Sequence, residues 1–275
     1  MIGTDERVLL PIGVEVEGVR YREVIIDEMT GFDEENLSSK KVKNNGAKGI
    51  TILLRRCIQE IPGVLAKKKN PLSLISEDIV RNMYVADRDF LTLCIRTLSD
   101  KSEFLTTISC PDCGHSYEEL LDVQGMDVYE WDENVPVQIN IELPRGFFNK
   151  EKGTYHNKLT WHFPRGRTQE KIATLPTNQI GTHMIAIGIG EVEGLESRPS
   201  PEEVRMLSIR DRNAFAQAIM DEGVGVETKL AVECNDCGHE FETEVDIMGF
   251  FSLAQQPTKK QFNGGKSGRR LRKKA

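Results

Sequence analysis

The sequence predicts an α+β protein built as a tandem duplication of two similar modules, each of strands plus helices ending in a cysteine-turn β-hairpin and related by a pseudo-two-fold axis. Three observations carry this expectation. CPDCGH at residues 110–115 returns as CNDCGH at 234–239. The segment from Asp87 to Gly125 aligns without a gap on Asp211 to Gly249, at an offset of 124. Along the chain, apolar residues alternate with polar ones in some stretches and recur at helical spacing in others.

RVLLPIGVEVEGVRYREVIIDEMTG alternates around Gly13 and Gly18, which predicts strands joined by tight turns. In the next segment Ala47, Ile50, Leu53, Leu54, Cys57 and Ile58 share one helical face, and Pro62-Gly63 is expected to stop that helix. A second helix is expected after Asn70-Pro71 and a third from Ser76-Glu77-Asp78 to Met83. Phe90, Leu91, Cys94, Ile95 and Leu98 form another apolar stripe, with Asp87 as the expected N-cap. FLTTISC then runs as a strand into the first cysteine turn, and SYEELLDVQGM leads out of it.

The second half repeats this order. Asp87-Arg88 corresponds to Asp211-Arg212, Gly114-His115 to Gly238-His239, and Leu121-Asp122 to Val245-Asp246. Upstream the match is weaker but ordered: Leu10-Pro11 with Leu143-Pro144, Gly31 with Gly166, and ILLRRCIQEIPG with HMIAIGIGEVEG. The glycines at 188, 190 and 194 thus fall at a helix C-terminus rather than in a dinucleotide fingerprint. The expected domains are residues 1–130 and 139–253, joined through Trp131–Val137, with a tail at 254–275.

Composition narrows the class. With 39% hydrophobic and 29% charged residues, the chain reads as globular. No apolar run approaches the roughly 20 residues of a membrane span, and MIGTDERVLL lacks a basic-then-apolar leader, so synthesis in the cytoplasm is expected. The net charge of −7 is unevenly spread: residues 259–275 hold eight Lys or Arg and no acid, leaving −15 on the remainder. Such a tail cannot bury apolar surface by itself.

Six cysteines are too few for a disulfide scaffold, and in a reducing compartment C-x-x-C is a metal or redox motif. C-x-x-C-G has the form of a zinc knuckle, in which backbone amides point at the sulfurs and glycine supplies positive φ. A structural zinc takes four ligands, and each knuckle offers two. The economical arrangement places Cys110, Cys113, Cys234 and Cys237 around one zinc ion per chain, shared by both modules. Two separate sites completed by His115 or His239 are an alternative, as is a redox-active or disulfide-bonded pair, although the thioredoxin setting of C-x-x-C at the head of a helix is missing. Cys57 and Cys94 sit on apolar helical faces and are expected in the core.

Catalytic constellations are absent: there is no H-E-x-x-H and no G-x-S-x-G, and GKS at 265–267 lacks a phosphate-loop frame. His156, His162 and His183 are scattered and are expected to be structural. The acidic clusters EEN, EDIV and EEV read as first turns of helices. These features predict a protein that is not an enzyme and has no small-molecule substrate. Lys259, Lys260, Lys266, Arg269, Arg270, Arg272, Lys273 and Lys274 are expected to dock on an acidic protein partner. The same tail in a zinc-ribbon nucleic-acid-binding protein is the rival reading, weakened by an acidic body that repels phosphate.

Taken together, LPIGVEVEGVRYREVIIDEMTGFDE, CIRTLSD before CPDCGH, LPRGFF, WHFPRGRTQEK and RDRNAFAQAIMDE before CNDCGHEFETEVDIMGFF resemble the baseplate-hub and tail-assembly-chaperone-like proteins of contractile-tailed bacteriophages. The resemblance covers residues 7–253. It implies a structural or assembly subunit of the tail baseplate near the central hub, located in the virion, with other baseplate, hub or tail proteins as partners. It leaves open a permanent component against a transient assembly chaperone.

Overall fold

A computed structural model describes residues 6–37, 45–68, 73–100 and 103–244, with the single positions 42 and 70. The basic tail, Lys259 to Lys274 included, lies outside the described residues. The chain is mixed α+β, with several small antiparallel sheets and eight α-helices among the described residues. It divides into two compact units, one formed by residues 1–101 with 124–227, the other by 102–123 with 228–275. Each half of the sequence contributes to both units.

The larger unit holds two three-stranded sheets. In the first, β1 (Arg7–Val16) pairs with β2 (Val19–Ile26), which pairs with β3 (Ile58–Glu60). In the second, β7 (Gln138–Asn149) pairs with β8 (Thr154–His162) and β8 with β9 (Ile189–Val192). Each leading strand loses register at one place, between Leu9 and Val14 in β1 and between Glu142 and Phe147 in β7. Those interruptions contain LPIG and LPRG, and Gly13 and Gly146 take positive φ of 112° and 83° there. At Gly146 a Cβ would stand 2.1 Å from the His156 carbonyl oxygen, so the two strands approach too closely for a side chain.

Helix α1 (Gly31–Leu37) precedes α2 (Gly46–Cys57), whose N-cap Asn45 accepts from the Lys48 amide. The buried face of α2 includes Ala47, Ile50, Leu53, Leu54 and Cys57, as its spacing predicts. The helix ends before Pro62-Gly63, because Ile58–Glu60 turns outward to join the sheet, and Pro62-Gly63 lies instead in the turn between Ile61 and Leu65. No helix occupies residues 73–76 after Asn70-Pro71; the chain there is irregular, with Ile75 donating its amide to the Arg55 carbonyl. Helices α3 (Glu77–Asn82) and α4 (Val85–Ser99) follow.

The N-cap of α4 is Tyr84, not Asp87. Asp87 lies one turn further in and is fully buried, with its carboxylate accepting from the amides of Ile12 at 2.8 Å and Gly13 at 3.0 Å. A cap must face the helix's own first amides. These two strand amides, freed by the interrupted register of β1, compete for the carboxylate and hold it.

Helices α5 (Gly166–Ile172), α6 (Thr177–Gly188), α7 (Pro201–Arg205) and α8 (Ile209–Asp221) complete the larger unit. Ser200 and Ser208 begin α7 and α8 with reciprocal capping boxes. The second sheet packs on these helices through Leu143, Phe147, Leu159, Trp161 and Ile189 against Val204, Leu207 and Phe215. Trp161 meets Phe215 edge-on at 6.0 Å between ring centroids. A short antiparallel pair, β6 (Val128–Tyr129) with β10 (Gly225–Val226), ties the ends of the two halves together in this unit.

Within the smaller unit are two hairpins, β4 (Glu103–Ser109) with β5 (Ser116–Asp122) and β11 (Lys229–Glu233) with β12 (Glu240–Glu244). Among its residues of described burial, Ile108, Cys110, Val123 and Cys234 are the buried apolar ones. Two-stranded hairpins with so little apolar burial are marginal in water without a further tie.

Candidate metal centre

The tie is at the hairpin tips. In each turn the first cysteine directly follows a strand, its amide donates to the histidine carbonyl five residues on, and its carbonyl accepts from the glycine amide. These are Cys110 to His115 at 2.8 Å with Gly114 to Cys110 at 3.0 Å, and Cys234 to His239 at 2.9 Å with Gly238 to Cys234 at 3.0 Å. Gly114 and Gly238 share a φ of 73°, the left-handed conformation that the motif's glycine permits. Repetition of one local geometry in two turns brings four sulfurs to one place.

Cys110, Cys113, Cys234 and Cys237 lie with all four Sγ atoms within 4.8 Å of one another. The Cys110–Cys237 and Cys113–Cys234 separations are both 3.7 Å. A tetrahedron of sulfurs about 2.3 Å from a central zinc has edges of about 3.8 Å, and a disulfide requires about 2.0 Å. The spacing fits four thiolates around one metal ion. Each cross-pair joins the first cysteine of one knuckle to the second of the other, as a local two-fold relation requires.

Electrostatics of the turns favour anionic sulfur. The amides of Cys237 and Asp236 point at the Cys234 sulfur and hold its thiol down to about 6. At Cys237 the His239 amide also favours the thiolate. Partial desolvation and hydrogen bonds with Cys113, Cys234 and Cys110 nevertheless push that thiol up to about 12. Four sulfurs this close cannot all ionise without a counter-charge, and a divalent cation supplies one.

The histidines of the motif do not enter the cluster. His115 stacks on Tyr117 and His239 on Phe241, each with centroids 5.9 Å apart, so the rings brace the hairpins. Tyr117 in the first hairpin donates its hydroxyl to the Glu233 carbonyl in the second at 3.2 Å. Cys57 and Cys94 are buried in α2 and α4, remote in role from the knuckles, and burial pushes the Cys57 thiol up to about 12. His156 and His183 bond to the backbone carbonyls of Glu193 and Gln179, as structural histidines do.

Two features of the larger unit escape a search for ligating or catalytic motifs. One is the carboxylate clamp of Asp87, repeated by Asp211, which accepts from the amides of Arg145 at 2.7 Å and Gly146 at 3.1 Å. The other is Arg88, fully buried and bonded to the Val80 and Ala47 carbonyls, the Thr51 hydroxyl and Gln169. Both were signalled by Asp-Arg standing at the same place in each half, together with LPIG and LPRG.

A family model described as T4 bacteriophage base plate protein matches residues 63–252, more than half of the chain and all four cysteines. No curated protein and no solved structure matches. Among the described residues, no helix is long and apolar enough to cross a membrane.

Proposed function

The chain belongs to the T4 bacteriophage base plate protein family, and from that membership we propose that it is a non-enzymatic structural subunit of a contractile tail baseplate, placed near the central hub. Its partners are other baseplate proteins and its destination is the virion tail. It acts by presenting surfaces to its neighbours. The observation that carries the reading is the family match across both knuckles.

The chain is a tandem duplication, with modules at 1–130 and 139–253. Support comes from paired details: an interrupted strand at LPIG and LPRG, the Asp87 and Asp211 clamps, and cysteine turns with the same φ and hydrogen bonds. The metal is one Zn²⁺, because four thiolates at tetrahedral spacing suit a soft-tolerant ion with no directional d-electron preference. It closes two hairpins whose apolar burial alone is small.

Quantitative mass spectrometry of purified phage particles tests the role. A fixed low copy number relative to a hub protein is the expected result. Absence from particles together with presence in assembly intermediates makes the chain a transient chaperone instead.

A further inference from the structure

In the larger unit, the segment of the second half from Pro164 to Glu170 lies on the first half. Val85 donates its amide to the Pro164 carbonyl, and Gly166 donates to the Met83 carbonyl, both at 2.9 Å. Arg165 reaches the Asn82 carbonyl at 2.9 Å and the Tyr84 hydroxyl at 2.8 Å. Gly166 packs so closely on Arg88 that a Cβ would stand 2.5 Å from its guanidinium. Glu170 accepts from Thr51 at 2.5 Å and pairs with Arg81 at 2.9 Å.

Among the described residues, no such segment covers the corresponding face of the second half. Positions 82 and 85 correspond to Met206 and Ile209, which are 83% and 73% exposed. Where the Arg88 guanidinium donates to Gln169, the Val80 and Ala47 carbonyls and the Thr51 hydroxyl, its counterpart Arg212 donates to Thr182, the match of Thr51, at 3.2 Å. Arg205 and Arg210 flank it, both exposed, and no described acidic residue forms an ion pair with any of the three arginines. Met206 closes α7 and Ile209 opens α8, so two exposed apolar side chains stand at the junction of the two helices beside arginines without an ion-pair partner among the described residues, which makes this face a candidate docking surface.

The matching occupant is within the same sequence. Gly166–Ile172 corresponds to Gly31–Leu37, helix α1, which turns Asp33 and Leu37 inward onto its own half. Its outer face presents Phe32, 56% exposed, with exposed Glu34 and Glu35, which have no ion-pair partner among the described residues. Apolar and acidic groups on α1 thus complement apolar and basic groups at Met206, Ile209 and Arg212. Helix α1 of the same chain is committed to α2, where Asp33 pairs with Arg56 at 2.5 Å.

We propose that helix Gly31–Leu37 of a second copy of this chain docks on the Met206–Ile209–Arg212 face, repeating between copies the contact that Gly166–Ile172 makes within one. This inference rests on the proposed duplication for the correspondence of residues. The contact is heterologous, donor helix to acceptor face, so it propagates into a ring or filament rather than closing a simple two-fold dimer.

Sedimentation of the full chain, zinc-loaded and reduced, over a micromolar to submillimolar range reads the association directly. Two surface variants separate its parts: Met206→Glu with Ile209→Glu blocks the acceptor, and Glu34→Lys with Glu35→Lys blocks the donor. Each variant alone is expected to be monomeric, while their equimolar mixture forms a one-to-one pair, since each retains the element that the other lacks. A wild-type chain monomeric throughout, association unchanged in either variant, or a mixture that stays monomeric overturns the proposal. Circular dichroism of both variants confirms that they fold. Cys110→Ser separates this contact from the metal site, because loss of zinc leaves the association in place if the α1 contact drives it.

Discussion

Asp87 and Asp211, 124 residues apart, each turn a carboxylate from the third position of a helix onto two amides of an interrupted strand. The relation explains why LPxG and Asp-Arg occur together in each half. The strand interruption frees two amides, glycine allows the chain to turn there, and the aspartate satisfies both donors from the helix packed above. Helix and sheet are thereby locked in one register.

Asp87→Ala leaves the Ile12 and Gly13 amides buried without an acceptor. The expected loss is about 1–3 kcal/mol per unsatisfied donor, read by urea unfolding. Asp211→Ala is expected to cost a similar amount and also removes the capping box with Ser208. A change below about 0.5 kcal/mol in both variants contradicts the clamp.

The two clamps differ in titration. Burial pushes the Asp87 carboxyl from its ordinary 3.8 up to about 7, against the pull of the two amides. Between these values the folded chain holds a proton that the unfolded chain releases, so this group's contribution is full below about 4 and is lost as pH rises through 7. The stability of the wild type relative to Asp87→Asn is therefore expected to be greatest near pH 4 and to decline toward neutral. A difference that is flat over this range contradicts the assignment.

Gly166 and Gly31 occupy matched positions with opposite surroundings. A Cβ at Gly166 meets the pinned guanidinium of Arg88, whereas one at Gly31 meets nothing within 4 Å. Gly166→Ala is expected to destabilise the larger unit by about 1–3 kcal/mol, as overpacking does, and Gly31→Ala to be close to neutral. Equal thermal shifts in the two variants contradict the account of that contact.

Zinc removal is expected to act on the hairpins. Chelation, or Cys110→Ser, should abolish hydrogen-exchange protection at residues 103–122 and 229–244 while amides of β7, β8 and α4 stay protected. The larger unit has its own apolar core around Trp161 and Phe215. Retained protection in the hairpins after complete metal loss contradicts a metal-closed unit.

Much of this was legible in the sequence, for physical reasons that differ by element. The cysteine turns announced themselves because C-x-x-C-G-H encodes a complete local structure, and its repetition implied a shared site. The strands β1 and β2 and the helix over Gly46–Cys57 were visible from period alone. Asp87 has the local preference of an N-cap, as any aspartate near a helix start does, but the strand amides that claim its carboxylate are 75 and 74 residues away in sequence. The helix expected after Asn70-Pro71 does not occupy residues 73–76, where the Ile75 amide goes to the Arg55 carbonyl instead, a long-range bond that local spacing does not carry. The expected stop at Pro62-Gly63 gave way to a sheet partner for Ile58, a long-range contact that periodicity does not carry.

Native mass spectrometry of the purified chain counts the metal ions that the two knuckles hold. The expected species carries one zinc ion, with the metal lost in Cys110→Ser and in Cys234→Ser alike, because each knuckle supplies half of a single site. Two zinc ions per chain, retention of the metal in either variant, or a metal-free chain lighter by the hydrogens of a disulfide would contradict it.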